Sequence, residues 1–347
     1  MRPESPKTGG SVKENRRPGS LAASVRAMGA ATKILDTVLD RAVVPGYTKI
    51  GFSVRSKFWA PDPAPDALAG KTAVVTGANS GLGRATTVDL ARLGATVHMI
   101  VRDPAKGERA RDEIAAELPN AHLEVGECDV SNLASVRTFA SAFAERHGSL
   151  DVLVHNAGSL PPERSETAEG NEVTLATHVL GPFLLTGLLR PALATAKGRV
   201  IFVTSGGMYA ARLHSEDPQY RQGEYKGGKA YARTKRMQVV LAEQWAQRLT
   251  DDGISVHSTH PGWADTPGVT GSLPGFNKVM GSLLRTPAQG ADTIVWLAAA
   301  DQPSHSSGGF WHDRRMRPTH YLPWQHDDPQ DRKDLWDLCV AETGLVI

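Results

Sequence analysis

Strand and helix patterns alternate without interruption from Lys71 to Ala299, and this alternation constrains the fold more than any other feature of the chain. Short apolar runs of strand length are separated by segments whose apolar residues recur at helical spacing. The predicted strands are 71–76, 95–101, 122–128, 152–155, 199–204 and 255–260, and the predicted helices are 82–93, 105–118, 133–143, 170–193, 229–248 and 288–299. Strands separated by helices of this length form a parallel sheet covered on both faces, so we predict a doubly wound α/β domain.

The patterns divide the chain into four segments. Residues 1–20 are rich in proline, glycine and charge, which is typical of a disordered basic tail. Residues 21–66 combine apolar residues at helical spacing with prolines at 61, 63 and 65, which predicts one amphipathic helix and a stiff linker. The α/β domain then takes residues 67–312, and residues 313–347 form a C-terminal extension.

Charge is distributed unevenly between the first 60 residues and the rest. Residues 1–60 hold 11 Lys and Arg against 4 Asp and Glu, whereas the remainder holds 28 against 33. A mildly acidic body argues against a nucleic-acid-binding protein. The basic lead is either solvated or lies at an anionic membrane surface, since its charges exclude a membrane-spanning helix between residues 21 and 44. Two cysteines fit a reducing compartment, so we expect a cytoplasmic protein, with peripheral membrane contact through residues 1–60 left open.

A glycine-rich turn joins the first predicted strand of the domain to the first helix. It reads Thr76-Gly77-Ala78-Asn79-Ser80-Gly81-Leu82-Gly83. Glycines let the backbone approach a pyrophosphate, and the N-terminus of the following helix favours negative charge. A glycine turn without a ligand is the alternative. The position of the turn at the start of an alternating α/β series favours a dinucleotide site of the Rossmann type instead.

Three residues later in the chain suit proton transfer. Predicted strand 199–204 delivers Ser205, and Tyr231 and Lys235 share one helix face because they lie four residues apart. Reduction of a carbonyl needs an acid for the forming alkoxide, and free tyrosine is too weak an acid near neutral pH. A neighbouring ammonium lowers the pKa of a phenol, so Lys235 would tune Tyr231 while Ser205 hydrogen-bonds the substrate oxygen. Without this context the pair would be a buried tyrosine and a solvated lysine.

This order of motifs resembles the short-chain dehydrogenase/reductase family over about residues 70–310, most of the chain. The resemblance rests on the Gly-x-x-x-Gly-x-Gly turn, the strand-end serine and the Tyr-x-x-x-Lys pair. It implies a nicotinamide-dependent oxidoreductase that moves a hydride between its cofactor and a small-molecule alcohol or carbonyl. Residues 205–208 and 260–269 resemble most closely the dehydrogenase/reductase branch called member 12.

The resemblance also implies which residues hold the cofactor. Arg102 ends the second strand, where NAD-dependent members carry a carboxylate, and its guanidinium suits a 2′-phosphate. NADP(H) is therefore expected rather than NAD(H), unless Arg102 is a surface residue that forms an ion pair with Asp103. Tyr231 and Lys235 would hold the nicotinamide ribose. The other expected contacts follow later strands and are Asp129, Val130, Asn156, Ala157, Gly158, Pro261, Gly262 and Thr266.

One position departs from the family pattern. The family usually has an Asn before the Leu-Gly of the long central helix, where it joins a proton relay to the lysine, and this chain has His178 there. A neutral imidazole can still make one hydrogen bond, so we expect His178 to take part in the relay as a neutral ring. The alternative is a histidine that fills space in the helix packing.

The substrate is expected above the nicotinamide, between the segment 205–231, the loop 263–284 and the C-terminal stretch. Apolar residues in that loop, together with nearby aromatic residues, favour a lipid-like, retinoid-like or steroid-like molecule. The same residues would otherwise pack in the core or in the interface of a homo-oligomer; the aromatic ones are Phe310, Trp311, Tyr321 and Trp324. The rival function is a non-catalytic NADP(H)-binding regulatory protein, which only the departure at His178 favours.

Overall fold

The structure is a computed structural model that describes residues 30–266, 275, 278, 280–322 and 324–346. Its strands are β1 (Thr72–Thr76), β2 (Thr96–Val101), β3 (His122–Glu127), β4 (Val152–His155), β5 (Arg199–Val203), β6 (Ser255–Thr259), β7 (Phe310–His312) and β8 (Arg315–Arg317). They form one sheet in the order β3-β2-β1-β4-β5-β6-β7-β8. All neighbours are parallel except β7 and β8. The predicted doubly wound α/β fold is confirmed.

Helices connect the strands as the sequence predicts, with boundaries within a few residues. They are α4 (Gly81–Arg92), α5 (Pro104–Glu117), α6 (Leu133–Arg146), α7 (Val173–Leu175), α8 (Gly181–Ala196), α9 (Gly227–Arg248), α10 (Pro287–Ala299) and α11 (Pro329–Thr343). A π-helical turn, Ala176–Leu180, joins α7 to α8. The chain before the sheet forms α1 (Ala30–Arg41), α2 (Val43–Tyr47) and α3 (Lys49–Arg55).

Two hydrophobic layers cover the sheet. Successive residues of a strand point to opposite faces, so Val74 belongs to one layer and Val75 to the other. Helices α6, α8, α9 and α11 bury their apolar residues in the first layer, and α4, α5 and α10 bury theirs in the second. The carboxyl ends of β1 and β4 lie side by side where the strand order reverses, which is where ligands bind in such sheets.

Three regions differ from the sequence analysis. The helix predicted over residues 21–42 agrees with α1, which ends at Arg41, in the part that is described, but the two short helices α2 and α3 that follow it were not predicted; residues 21–29 lie outside the described residues. The strands β7 and β8 and the helix α11 were not predicted. The two strands have three residues each, which is too short for a periodicity signal, and β7 pairs with the edge of β6.

Residues 173–196 are the one described helical stretch long and apolar enough to cross a membrane by length and composition. In an apolar window of 18 residues within that stretch, 61% is buried inside the protein. Leu184 and Leu185, for example, are fully buried. The stretch is therefore the central core helix of the domain.

Candidate active site

The turns after β1 and β4 are tied together at the carboxyl edge of the sheet. Thr76 ends β1, and its hydroxyl accepts the backbone N–H groups of Asn156 (3.0 Å) and Ala157 (3.0 Å). The side-chain amide of Asn156 donates to the Thr76 carbonyl oxygen at 2.9 Å. These bonds fix the predicted Asn156-Ala157-Gly158 turn directly beside the glycine-rich turn.

The glycine-rich turn has room for a bound group only because glycines occupy it. Gly77 has φ +66°, which L-residues rarely adopt, and a Cβ added to Gly83 would lie 2.1 Å from the Gly77 carbonyl oxygen. The chain can therefore turn sharply and enter α4 at once. Ser80 follows Asn79 as the N-cap of α4 and makes no capping bond through its side chain, so that side chain leaves the first N–H groups of the helix, which begins Gly81-Leu82, without a cap. This arrangement fits a dinucleotide pyrophosphate.

Arg102 lies exposed at the end of β2 and makes no hydrogen bond or ion pair with the described residues. The expected alternative partner, Asp103, is engaged elsewhere: it caps α5 by accepting the backbone N–H of Lys106 at 3.1 Å and pairs with the Lys106 ammonium at 3.4 Å. The geometry thus leaves the Arg102 guanidinium available for an anion.

The remaining predicted cofactor residues lie along the same edge. Asp129 accepts the backbone N–H and the hydroxyl of Ser131 at 2.9 and 2.7 Å, and Val130 is buried beside it. Pro261 and Gly262 follow β6, where Gly262 has φ +79°. Thr266 is the last described residue before the gap at 267–274. The carboxyl ends of β3, β4 and β6 thus bring these residues to one side of the sheet.

Ser205 and Tyr231 lie close together. Ser205 follows β5 and accepts the backbone N–H of Gly207 at 3.1 Å, and a Cβ added to Gly207 would lie 3.5 Å from Ser205 Oγ and 3.9 Å from Tyr231 Cε1. Burial raises the pKa of Tyr231, and a hydrogen bond with Ser205 partly offsets that rise. The phenol is therefore protonated near neutral pH and available as a proton donor.

Lys235 lies beneath the Tyr231 ring. Its ammonium is 5.4 Å from the ring centroid and donates to the Val203 carbonyl oxygen and to Gln238 Oε1, both at 2.9 Å. Burial lowers the pKa of Lys235 to about 7. Gln238 was not predicted from the sequence; it lies one helical turn after Lys235 and so shares its face.

His178 occupies the π-helical turn and connects the two halves of the site. Its Nε2 accepts the backbone N–H of Ser159 at 3.0 Å, so the proton of the neutral ring lies on Nδ1, which donates to Thr234 Oγ1 at 2.8 Å. The ring also meets that of Tyr231 edge to face, with centroids 5.4 Å apart. Burial, and next the positive charge of Lys235, hold the pKa of His178 well below its usual range.

A second histidine, His260, holds the residue that follows Ser205, a contact that the sequence did not predict. His260 Nδ1 accepts the backbone N–H of Gly206 at 2.9 Å. Tyr47, from the N-terminal helices, packs its ring edge to face on His260, with centroids 4.3 Å apart, and its carbonyl oxygen accepts the Trp263 N–H at 2.7 Å. Nothing local to residue 47 in the sequence indicates this contact, because it joins residues more than 200 positions apart.

The expected substrate region is only partly described. Phe310 and Trp311 are buried in the core as part of β7, so they do not line a binding site. Tyr321 and Trp324 border a cavity of about 560 Å³ that none of the three residues Ser205, Tyr231 and Lys235 lines. In the loop 263–284, the predicted apolar residues Val269, Leu273 and Phe276 lie outside the described residues.

Comparison with known proteins identifies the family to which the chain belongs. The family model described as short chain dehydrogenase matches residues 71–274, more than half of the chain. The chain belongs to the short-chain dehydrogenase/reductase family. It is therefore an NAD(P)-dependent oxidoreductase by membership.

Individual relatives narrow the branch. The chain is 42% identical over 298 residues to human dehydrogenase/reductase SDR family member 12, covering 84% of this chain and 92% of the relative. It is 33% identical to mouse retinol dehydrogenase 11, covering 81% and 88%. These matches confirm the predicted likeness to the member 12 branch.

Two solved structures share the fold. An uncharacterized protein from Mycobacterium paratuberculosis superposes with a TM-score of 0.63 at 30% identity, covering 83% of this chain and 98% of the other. A gluconate 5-dehydrogenase-like protein from Beutenbergia cavernae, solved with bound NADP, has a TM-score of 0.58 at 26% identity, covering 72% and 97%.

Proposed function

We propose that this protein is an NADP(H)-dependent oxidoreductase that interconverts an apolar alcohol and the corresponding carbonyl compound. The observation that carries the proposal is the convergence of Ser205, Tyr231 and Lys235 beside a glycine turn shaped for a pyrophosphate. The free guanidinium of Arg102 at the end of β2 supports NADP(H) over NAD(H). The NADP in the Beutenbergia relative supports the same choice.

Each residue of the site has a separate role in this proposal. The cofactor, when bound, supplies or accepts the hydride. Ser205 donates a hydrogen bond to the substrate oxygen, and Tyr231 gives that oxygen its proton during reduction. Lys235 stabilises the phenolate that remains and, with Tyr231, holds the ribose. His178 and Thr234 keep the segment of Ser159 at a fixed distance from α9.

The replacement Tyr231→Phe tests this mechanism. It removes the proton donor and keeps the ring contact with His178, so turnover of a panel of aldehydes and ketones should fall at least about a hundredfold while NADPH affinity is retained. NADPH oxidation gives the rates, and protein fluorescence gives the cofactor affinity. A wild-type protein that binds NADPH but turns over no member of the panel would instead favour the regulatory alternative. Near-normal turnover in the variant would contradict the assigned role of Tyr231.

An apolar substrate is the class we favour. Two lines support it: the apolar residues of the loop 263–284, and the similarity to a relative named retinol dehydrogenase 11 from mouse. The substrate panel therefore spans aldehydes of increasing chain length, retinal and a steroid ketone. Values of kcat/KM that rise with the chain length of the aldehyde would support the proposal, and a preference for short polar carbonyls would contradict it.

We also propose that the N-terminal helices contact an anionic membrane surface from the cytoplasmic side. Helix α1 faces the protein with its carboxylates, because Asp36 and Asp40 are buried, and it leaves Ile34 and Val38 65% and 57% exposed. Asp36 and Asp40 are the only acidic residues between 30 and 58, so the exposed charges of this segment are all positive. They belong to Lys33, Arg41, Lys49 and Lys57.

Vesicle binding tests this contact. The full chain should co-sediment with phosphatidylserine vesicles, more weakly at 0.5 M salt and more weakly with neutral vesicles, because the attraction is partly electrostatic. Ile34→Ser with Val38→Ser should weaken binding severalfold, whereas Met316→Ser, exposed on β8, should not. Equal sedimentation of both variants would contradict the proposal. A homo-oligomer that the double variant dissociates would assign the apolar face to a second copy of the chain instead.

A further inference from the structure

A cluster of two histidines and one glutamate lies on the sheet away from the candidate active site. His98 is on β2, Glu124 is its direct register partner on β3, and His147 caps the end of α6. One ligand atom from each of the three lies within 4.8 Å of the others. Among the described residues this is the one group of three or more such side chains with that spacing.

Each of the two imidazoles has a nitrogen that no described residue hydrogen-bonds. His98 is 4% exposed, and both His98 Nε2 and His147 Nε2 are buried without a hydrogen-bond partner among the described residues. Buried polar atoms in folded proteins are almost always paired, so two orphaned nitrogens in adjoining rings require a partner. The rings lie with centroids 4.5 Å apart, close enough to share one.

The chemistry of the three groups suits a borderline divalent cation. Burial lowers the pKa of His98 to about 4, so the ring is neutral and offers a lone pair. Glu124 lies 3.5 Å from His98 Nδ1, and its side chain is 48% exposed, which opens the cluster to solvent. Two imidazoles and a carboxylate form a ligand set for Zn²⁺ that leaves a fourth position for water.

We propose that His98, Glu124 and His147 form a Zn²⁺ site that joins the edge strand β3 to β2 and to the end of α6. Zinc bonds of about 2.0–2.1 Å bring ligand atoms to about 3.3 Å from one another, so atoms as far apart as 4.8 Å must approach by up to about 1.5 Å. The exposed Glu124 side chain is free to follow such a movement. The site is structural, because His98 lies four residues, about 13 Å along the strand, from Arg102 and the cofactor edge.

Zinc titration of the full chain tests the site. Metal-free protein without a histidine tag should bind one Zn²⁺ with micromolar affinity in calorimetry, and its melting temperature should rise with Zn²⁺. His147→Ala and Glu124→Gln should each weaken binding at least about tenfold. His122→Ala, an exposed histidine two residues before Glu124 on β3, is the matched control and should bind as the wild type does.

A spectroscopic arm separates this site from adventitious binding. Co²⁺ in a four-coordinate site gives intense visible absorption, so the wild type and His122→Ala should become coloured and His147→Ala should not. Failure of the wild type to bind Zn²⁺, or equal binding by His147→Ala, would overturn the proposal. Cofactor affinity and turnover of His147→Ala should stay at wild-type levels, so neither result bears on the proposed oxidoreductase activity. Circular dichroism of each variant verifies that it folds.

Discussion

At the scale of single residues, burial sets the protonation states of the candidate active site. It raises the pKa of Tyr231 and lowers the pKa of Lys235 to about 7, so it favours the neutral form of both groups. A protonated phenol is what a carbonyl reductase needs before its chemical step. The opposite reaction needs the phenolate, which depends on a charged Lys235 close to the ring.

Arg102 gives the most direct test of cofactor choice. Arg102→Ala should weaken NADPH by about tenfold to a hundredfold and leave NADH within about twofold, because only NADPH carries the 2′-phosphate that a guanidinium binds in bidentate fashion. Fluorescence titration with both cofactors measures the change. Arg109→Ala, on α5, serves as the control for general charge loss. Equal losses for the two cofactors would remove Arg102 from the site.

His178 should act by position rather than by titration. Both ring nitrogens are engaged and its pKa lies well below the usual range, so the rate between pH 6 and 8 should show no ionisation of this group. His178→Ala breaks both hydrogen bonds and should lower kcat about tenfold, whereas His178→Asn, which restores the residue usual in the family, should stay active. Equal rates in all three proteins would show that the ring only fills space.

At the scale of elements, the N-terminal helices are built into the domain through charge. Asp36 on α1 accepts two hydrogen bonds from Arg317 on β8, at 2.7 and 2.8 Å, and one from Arg55 on α3 at 2.8 Å. Arg55 continues to Asp313, which Arg285 also binds through both of its carboxylate oxygens at 2.6 and 2.8 Å. This buried chain of ion pairs places Tyr47 against His260 behind Ser205.

Tyr47 should therefore influence both stability and turnover. Tyr47→Ala removes a ring that fills the space between Gly206, His260 and Trp263, so the free energy of unfolding should fall by about 3–5 kcal/mol. The kcat should fall as well, because Ser205 loses its support. Tyr47→Phe keeps the ring and loses only the hydrogen bond to the Tyr321 hydroxyl, which contributes about 1 kcal/mol. Urea unfolding and NADPH oxidation measure the two effects; an unchanged kcat in the folded alanine variant would limit Tyr47 to stability.

At the scale of the whole molecule, buried neutral histidines predict loss of stability in acid. Burial lowers the pKa of His155 to about 3, and that of His312 to about the same value. An unfolded chain titrates its histidines near pH 6.5. Between about pH 6.5 and pH 3 these histidines bind protons in the unfolded chain but not in the folded protein. The free energy of unfolding therefore falls as the pH drops through this window.

His155 allows the size of this effect to be measured. Between pH 7 and pH 5 the group should cost the wild type about 2 kcal/mol of stability, since one pKa unit corresponds to about 1.4 kcal/mol. His155→Asn, which cannot take up the proton, should lose about that much less over the same interval in urea unfolding. His326→Asn, at an exposed position, should behave as the wild type. Parallel pH dependence in all three would contradict the assignment.

The sequence by itself determined the family and the order of β1 to β6 with the helices between them, because periodicity and the glycine turn are local signals that do not depend on distant contacts. It also placed Ser205, Tyr231 and Lys235 at one end of the sheet, since parallel strands present their carboxyl ends together. Only the tertiary structure decided what surrounds them. Tyr47 and Gln238 belong to no motif, and the motifs that contain Thr234 and His260 do not indicate the contacts these two residues make.

The hairpin between β7 and β8 shows the physical reason. Its two central residues, Asp313 and Arg314, have φ +52° and +54°, a conformation usually taken by Asn-Gly, and no local rule would place them there. Ion pairs with residues far along the chain hold them: Asp313 with Arg285 and Arg55, and Arg314 with Asp292. Such contacts exist only after the sheet has formed, so the position of the N-terminal helices behind the candidate site is a property of the folded chain.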